Sequence, residues 1–253
     1  MGLLILAAIF VAVLGWTLRD ALFTGWRRAR LRARPFPREW REYLRRRVPY
    51  VRALPADLQL QLKKHIQVFL AEKPFTGCDG LEVTDEMRVT IAAQACLLLL
   101  NRRTDYFPNA TEILLYPGKF IVDREVPDGI GLARRDRSVL AGESWSSGQV
   151  ILSWDDAVEG AERVDDGFNV VIHEFAHQLD QENGATNGAP FMRSRARRER
   201  WAEVLGREFA ALQSRLAGGQ PSLIDAYGAT NPGEFFAVVS ELFFERPREL
   251  AAE

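Results

Sequence analysis

Apolar positions follow three different rhythms along this chain. The first is continuous: MGLLILAAIFVAVLGWTL carries no charge from Gly2 to Leu18, a run of 17 residues. That is the lower limit for a helix spanning a hydrocarbon core of ~30 Å. The second rhythm is helical. In LPADLQLQLKKHIQVFLAEKPF, Leu58, Leu62, Ile66, Phe69 and Leu70 recur at helical steps and stop before Pro74, which predicts a helix. DEMRVTIAAQACLLLLNR predicts another, largely buried, with Asp85 near its N-terminus and Leu97 to Leu100 in the core. The third rhythm belongs to strands. TEILLYPGKFIV predicts two short ones around Pro117-Gly118, and GQVILSW a third from Gln149 to Trp154. Helical spacing then returns in DDGFNVVIHEFAHQLDQENG, closed by Asn183-Gly184, and in FMRSRARRERWAEVLGREFAALQSRL, closed by Gly218-Gly219. A last helix is expected in NPGEFFAVVSELFFERP, where Pro232 suits a first turn and Pro247 ends the run. The expected fold class is α+β: a mostly helical body with a small mixed sheet, preceded by one N-terminal transmembrane helix.

Charge divides the chain further. Residues 1 to 47 hold eleven Arg against Asp20, Glu39 and Glu42, a surplus of +8, so a net charge of −1 leaves −9 on the rest. A cleavable signal peptide would place positive charge before its apolar core. Here the charge comes afterwards, in GWRRARLRARPFPREWREYLRRR, which by the positive-inside rule keeps the following chain in the cytoplasm. Residues 1–26 are therefore expected to be a membrane anchor, with Trp16 and Trp26 as interface residues. Residues 27–49 are expected to be a basic juxtamembrane linker, punctuated by Pro35, Pro37 and Pro49, and residues 50–253 the globular domain. Arginine next to an apolar span suits anionic lipid head groups better than nucleic acid, and no direct nucleic-acid binding is expected. Cys78 and Cys96 are too few for a disulfide framework and read as buried thiols in a reducing compartment.

The chain has three histidines, and NVVIHEFAHQLD holds two of them, His173 and His177. Four residues apart on a helix, their imidazoles can reach one point, which is half of a tetrahedral zinc site. Glu174, turned by about 100°, stands beside the metal rather than on it. Zinc lowers the pKa of a bound water from ~15.7 to ~7, and the carboxylate can then act as base and proton shuttle while the hydroxide attacks a peptide carbonyl. The spacing H-E-x-x-H therefore reads as a hydrolytic mechanism. The remaining histidine, His65, lies far upstream with no clustered ligand, and a surface or packing role is expected for it. A carboxylate is the expected third ligand.

HEFAHQLD followed by AYGATNPGEFFAVVSELFF resembles the Mlc titration factor A family, zinc-dependent gluzincin peptidases whose catalytic region also resembles that of the anthrax lethal factor. The likeness extends over most of residues 50 to 250 and includes GESWSSGQVILSW. It implies a zincin-like metallopeptidase domain with Zn2+ as cofactor, His173, His177 and Glu234 as metal ligands, Glu174 as the base and Tyr227 as electrophilic helper. An apolar N-terminus departs from the soluble members of that family. The body is thus expected at the cytoplasmic face of a bacterial inner membrane, with a soluble cytoplasmic location as the alternative.

Each assignment also has a physical reading. Tyr227 precedes Glu234 by seven residues across NPG, so a turn and a helix start could bring both to the metal. A phenol stays protonated at neutral pH and can donate to an oxyanion. Asp180 shares the helix face of His177 and could orient a ligand, or sit on the surface. GQVILSW could be the sheet edge to which an extended peptide adds, or a core strand. Glu234 and Glu241 compete for third ligand, because seven residues on one helix return to nearly the same face. Glu234, at the helix start, is favoured; Glu241, inside an apolar run, needs a partner or the surface. Two functions stay in play: a peptidase acting on peptides or proteins, and a regulatory protein that sequesters a transcriptional repressor, with zinc only structural.

Overall fold

The computed structural model describes residues 2–127, 133–140, 142–144, 148–184 and 186–252. The side chain of Trp16 and residues 145–147 of GESWSSGQVILSW lie outside the described residues.

The uncharged N-terminus and the first arginines form one helix, α1 (Gly2–Ala33), with no break at residue 26. Among the described residues no helix is long and apolar enough to cross a membrane. The second half of α1 lies on the body. Arg27 donates to the carbonyl of Ala71, and Arg28 forks onto Glu72 at 2.8 and 2.9 Å while also reaching Asp105. Past Pro37 the chain forms α2 (Arg38–Arg47) and a 3-10 turn at Pro49–Ala53. Leu44, Val48 and Val51, at helical spacing, are buried there together with Phe36. The stretch expected as a linker therefore contributes to the core.

The helix α3 (Ala56–Glu72) buries Leu62, Ile66, Phe69 and Leu70. After β1 (Phe75–Gly77) comes α4 (Asp85–Leu97), buried at every residue from Val89 on. Its cap is Thr84, whose hydroxyl accepts from the amide of Met87; Asp85 is the first helical residue. Next follow β2 (Glu112–Tyr116), β3 (Phe120–Pro127), β4 (Ala133–Leu140), β5 (Gly142–Ser144) and β6 (Gln149–Ser153). The main sheet runs β1-β2-β6-β5, with β1, β2 and β6 parallel and β5 antiparallel to β6. The sheet is thus mixed, as expected. β3 and β4 form a separate antiparallel ribbon, so the two strands flanking Pro117-Gly118 go to different sheets. β6 lies between two neighbours and is buried from Val150 to Ser153. GQVILSW is therefore an interior strand rather than an edge, and the outer place beyond it is taken by β5.

Ser153 ends β6 and caps α5 (Trp154–Glu162), accepting from the amide of Asp156. The remaining elements are α6 (Val170–Asp180), α7 (Arg195–Ala217), α8 (Pro232–Glu245) and the short α9 (Pro247–Leu250). α6 is fixed by its apolar stripe: Phe175 meets Phe107 and Phe69 edge-on, with ring centres 4.8 and 5.5 Å away. Burying such a ring stabilises by roughly 2–3 kcal/mol. Cys96 is buried and Cys78 half-buried, and both are free thiols.

Candidate metal centre

Two capped helices build the site. Asn169 accepts from the amide of Ile172 and starts α6; Asn231 accepts from the amide of Glu234 and starts α8, with Pro232 in the first turn. Packing Phe175, Ile172 and Leu179 inward leaves His173 and His177 on the stripe of α6 that faces the start of α8. Both imidazoles and the Glu234 carboxylate are mostly shielded, with side-chain exposures of 14%, 12% and 17%.

His173 Nε2 and His177 Nε2 are 3.2 Å apart, and Glu234 Oε2 lies 3.1 Å from the first and 3.3 Å from the second. On the other side of the His173 ring, Nδ1 is 2.8 Å from Glu241 Oε1. An ionised carboxylate only accepts, so the Nδ1 proton belongs in that bond and Nε2 presents a lone pair. With both imidazoles neutral, three electron-rich atoms converge there, an arrangement that calls for a cation. Bonds of ~2.0–2.2 Å at tetrahedral angles put neighbouring ligand atoms ~3.3–3.6 Å apart, slightly wider than this triangle. Two imidazole nitrogens and one carboxylate oxygen also match the chemistry of a divalent-metal site, so the residues fit a metal ion. Among the described residues, His173, His177 and Glu234 are the group that could hold one.

Where protons rather than a metal supply that positive charge, the imidazoles become the donors. Burial works against charge on His173, but the carboxylates of Glu234 and Glu241 outweigh it and hold the imidazole's pKa up to about 10. Burial likewise opposes ionisation of Glu234, and hydrogen bonds from both imidazoles overcome it, taking its carboxyl down to about 2. The cluster thus favours positive charge at its centre.

Glu174 is 5% exposed and, with His173 and Tyr227, lines a cleft of about 710 Å3. Tyr227 stands in a 3-10 turn (Ala226–Ala229) whose amide end is capped by Asp225. Its ring is 54% exposed and centred 6.1 Å from the His173 ring, so it faces the open cleft instead of the interior. The structure thus brings together the five residues singled out in the sequence.

The sequence left alternatives open for Glu241 and Asp180, and expected His65 to stand apart from the metal. Glu241 is buried and bridges two donors, His173 Nδ1–H through Oε1 and the Asn169 amide through Oε2. Asp180 neither touches a ligand nor reaches the surface: it is fully buried and accepts from the amides of Asn187, Gly188 and Ala189. His65 packs apart from the site, its Nδ1 3.1 Å from the Tyr106 hydroxyl. Asn169 was missed. Its signal was an Asn placed just before an apolar helix, a cap that here also ties α6 to Gly160 and Glu245.

A family model described as glucose-regulated metallo-peptidase M90 matches residues 23–253. The chain belongs to that family. M90 membership implies a metallopeptidase, and the matched region includes the basic stretch from α1 onward. The chain is 45% identical over 228 residues to "Uncharacterized protein slr2042" of Synechocystis sp., covering 89% of this chain and 82% of the relative. It is 36% identical over 207 residues to "Mlc titration factor A" of Enterobacter sp. and 37% identical over 207 residues to the protein of that name from Klebsiella pneumoniae. Each of those matches covers 81% of this chain and 77% of the relative. This M90 chain is therefore similar to the Mlc titration factor A proteins.

Proposed function

We propose that this M90 chain is a zinc-dependent peptidase in which His173, His177 and Glu234 hold the metal and Glu174 is the general base. The observation that carries the reading is the triangle of ligand atoms, spaced for one tetrahedral ion beside a carboxylate that is not part of it. Bound zinc would supply an acidified water and a polarised carbonyl. The chain's own residues do the rest. Glu174 takes the proton of the attacking water and returns it to the leaving amine. Tyr227 donates a hydrogen bond from its phenolic O–H to the developing oxyanion from the cleft side. Glu241 fixes the His173 tautomer through Nδ1, which leaves Nε2 free to bind. A closed structural site would fill its fourth position with protein and have no use for Glu174.

The test is metal analysis of the purified full chain together with turnover of a mixed peptide library, before and after chelation. One equivalent of zinc and hydrolysis that returns on adding zinc back are expected. Metal-free protein that hydrolyses equally well would end the reading.

A second reading draws on the relatives' printed name: the chain also binds a transcriptional repressor of the Mlc kind. The two are compatible if the partner regulates access to the cleft. For location we propose the cytoplasmic face of the bacterial inner membrane. Ile9, Phe10, Leu22, Phe23 and Trp26 are exposed along α1, which suits attachment of that helix to lipid even where it does not span.

A further inference from the structure

A second cavity, of about 430 Å3, opens between α2, the turn at Pro49–Ala53 and α3. Five cations line it, Arg38, Arg41, Arg45, Arg52 and Lys63, against a single lining carboxylate, Glu42. Arg38, Arg41 and Arg45 share one face of α2 by their spacing of three and four residues. The opposite charges of this arm are distributed unevenly. Arg28 is paired with Glu72 and Asp105, Arg46 with Glu86, and Arg47 with both Glu86 and Glu162. Those arginines fasten the arm to the body. None of the five cavity cations has a carboxylate partner among the described residues, and the one side-chain bond among them runs from Arg52 to the carbonyl of Arg45. Like charges held around a concave surface repel one another, and an anion seated between them relieves that repulsion.

The donor chemistry narrows the anion. Guanidinium groups present paired N–H donors at a spacing that matches phosphate oxygens, and four of them around one hollow favour a group with several such oxygens. Apolar Leu44 and Val51 form the floor, which lowers the local dielectric and strengthens the attraction. We infer that this cavity binds a phosphate-bearing anion, either the head group of an acidic phospholipid or a soluble polyphosphate. Residues 34–37 alone separate α1, which exposes apolar side chains as far as Trp26, from α2, so a lipid is one source of such an anion. The inference is independent of the peptidase reading, since no cavity residue belongs to the metal centre.

The experiment compares the full chain with an Arg41→Gln/Arg45→Gln/Arg52→Gln variant. Binding of inorganic pyrophosphate is measured by calorimetry. Flotation is measured with vesicles of phosphatidylcholine alone and of equal parts phosphatidylcholine and phosphatidylglycerol. Because α1 can hold any bilayer, the readout is the gain on adding phosphatidylglycerol. Saturable pyrophosphate binding without that gain identifies a soluble ligand, and the gain without pyrophosphate binding identifies the lipid. In either case the variant should lose ~100-fold, from about a factor of five per basic residue. Wild-type protein that responds to neither probe, or a folded variant that matches it on both, overturns the inference. An unchanged melting temperature and unchanged peptide turnover report that the variant is folded. If it is not, Arg41→Gln alone gives the same comparison, with a loss of ~5-fold expected.

Discussion

Glu241 Oε1 holds His173 Nδ1 at 2.8 Å while its other oxygen accepts the backbone amide of Asn169, which starts the same helix. One buried carboxylate therefore sets both the orientation of a metal-binding ring and the position of the helix that carries it. Two donors need two acceptors, and an amide offers only one. Glu241→Gln must turn its NH2 toward either the imidazole or the Asn169 amide. The expected result is a fold that survives with zinc affinity reduced by ~10–100-fold, the usual range for such supporting partners. A competition titration against a chromophoric chelator reads it, and an affinity equal to that of the parent would remove the positioning role.

Glu174→Gln should separate binding from chemistry. The amide keeps the shape of the carboxylate and leaves His173, His177 and Glu234 untouched, yet it cannot accept the proton of a water. Zinc content should stay at one equivalent while peptide turnover falls by ~10²-fold or more. Near-parental turnover in a zinc-loaded variant would show that the base lies elsewhere.

Tyr227→Phe removes a donor from a ring that is half in solvent, so stability should change by less than ~0.5 kcal/mol. The expected loss is in kcat, on the order of 10²-fold, as for one oxyanion donor. A change confined to KM would assign the phenol to substrate binding.

The sequence disclosed most where one helix carries both rhythm and chemistry. HEFAH puts two imidazoles on one stripe and Phe175 in the core, and both follow from a 3.6-residue period. What was hidden depends on contacts between elements. Glu241 in an apolar run looks anomalous until α8 lies against α6 and supplies its donors. Asp180 could not be placed because the three amides it accepts belong to a loop whose path is set by tertiary packing. The arginine-rich stretch after residue 26 read as a juxtamembrane linker, since charge dominates its composition. Leu44, Val48 and Val51 nevertheless recur there at helical steps, and Arg46 and Arg47 find carboxylates on other elements. The strand β4, ARRDRSVL, carries too little apolar alternation to be read as a strand at all.

Gly188 tests how the loop after α6 supports Glu234. Its φ is +75°, and a Cβ there would come within 2.4 Å of the Pro232 carbonyl oxygen at the start of α8. Asp180 pulls the Gly188 amide from the other side at 2.8 Å. Gly188→Ala is therefore strained in its backbone and pushes on the turn that delivers the third ligand. The expected cost is on the order of 2 kcal/mol in stability, from the positive φ and the contact together, with weaker zinc retention during dialysis against a mild chelator. Retention and unfolding midpoint both equal to those of the parent would show that α8 is placed without this loop.

His65 should make the fold sensitive to acid without involving the metal. Burial, with help from the nearby charge of Arg32, lowers its pKa from 6.5 to about 4, and its Nδ1 contacts the Tyr106 hydroxyl. As pH falls below 6.5 the unfolded chain takes up a proton that the folded chain still refuses. Stability is then full above about 6.5 and declines as pH drops toward 4, where the folded imidazole finally titrates. With part of the ring in solvent, the decline due to this residue is on the order of 2 kcal/mol. A glutamine can keep a bond to Tyr106 and has no proton to gain. His65→Gln should therefore flatten the profile over that interval, as measured by urea unfolding of the zinc-loaded chain at several pH values. Parallel profiles for the two proteins would place the acid sensitivity on other groups.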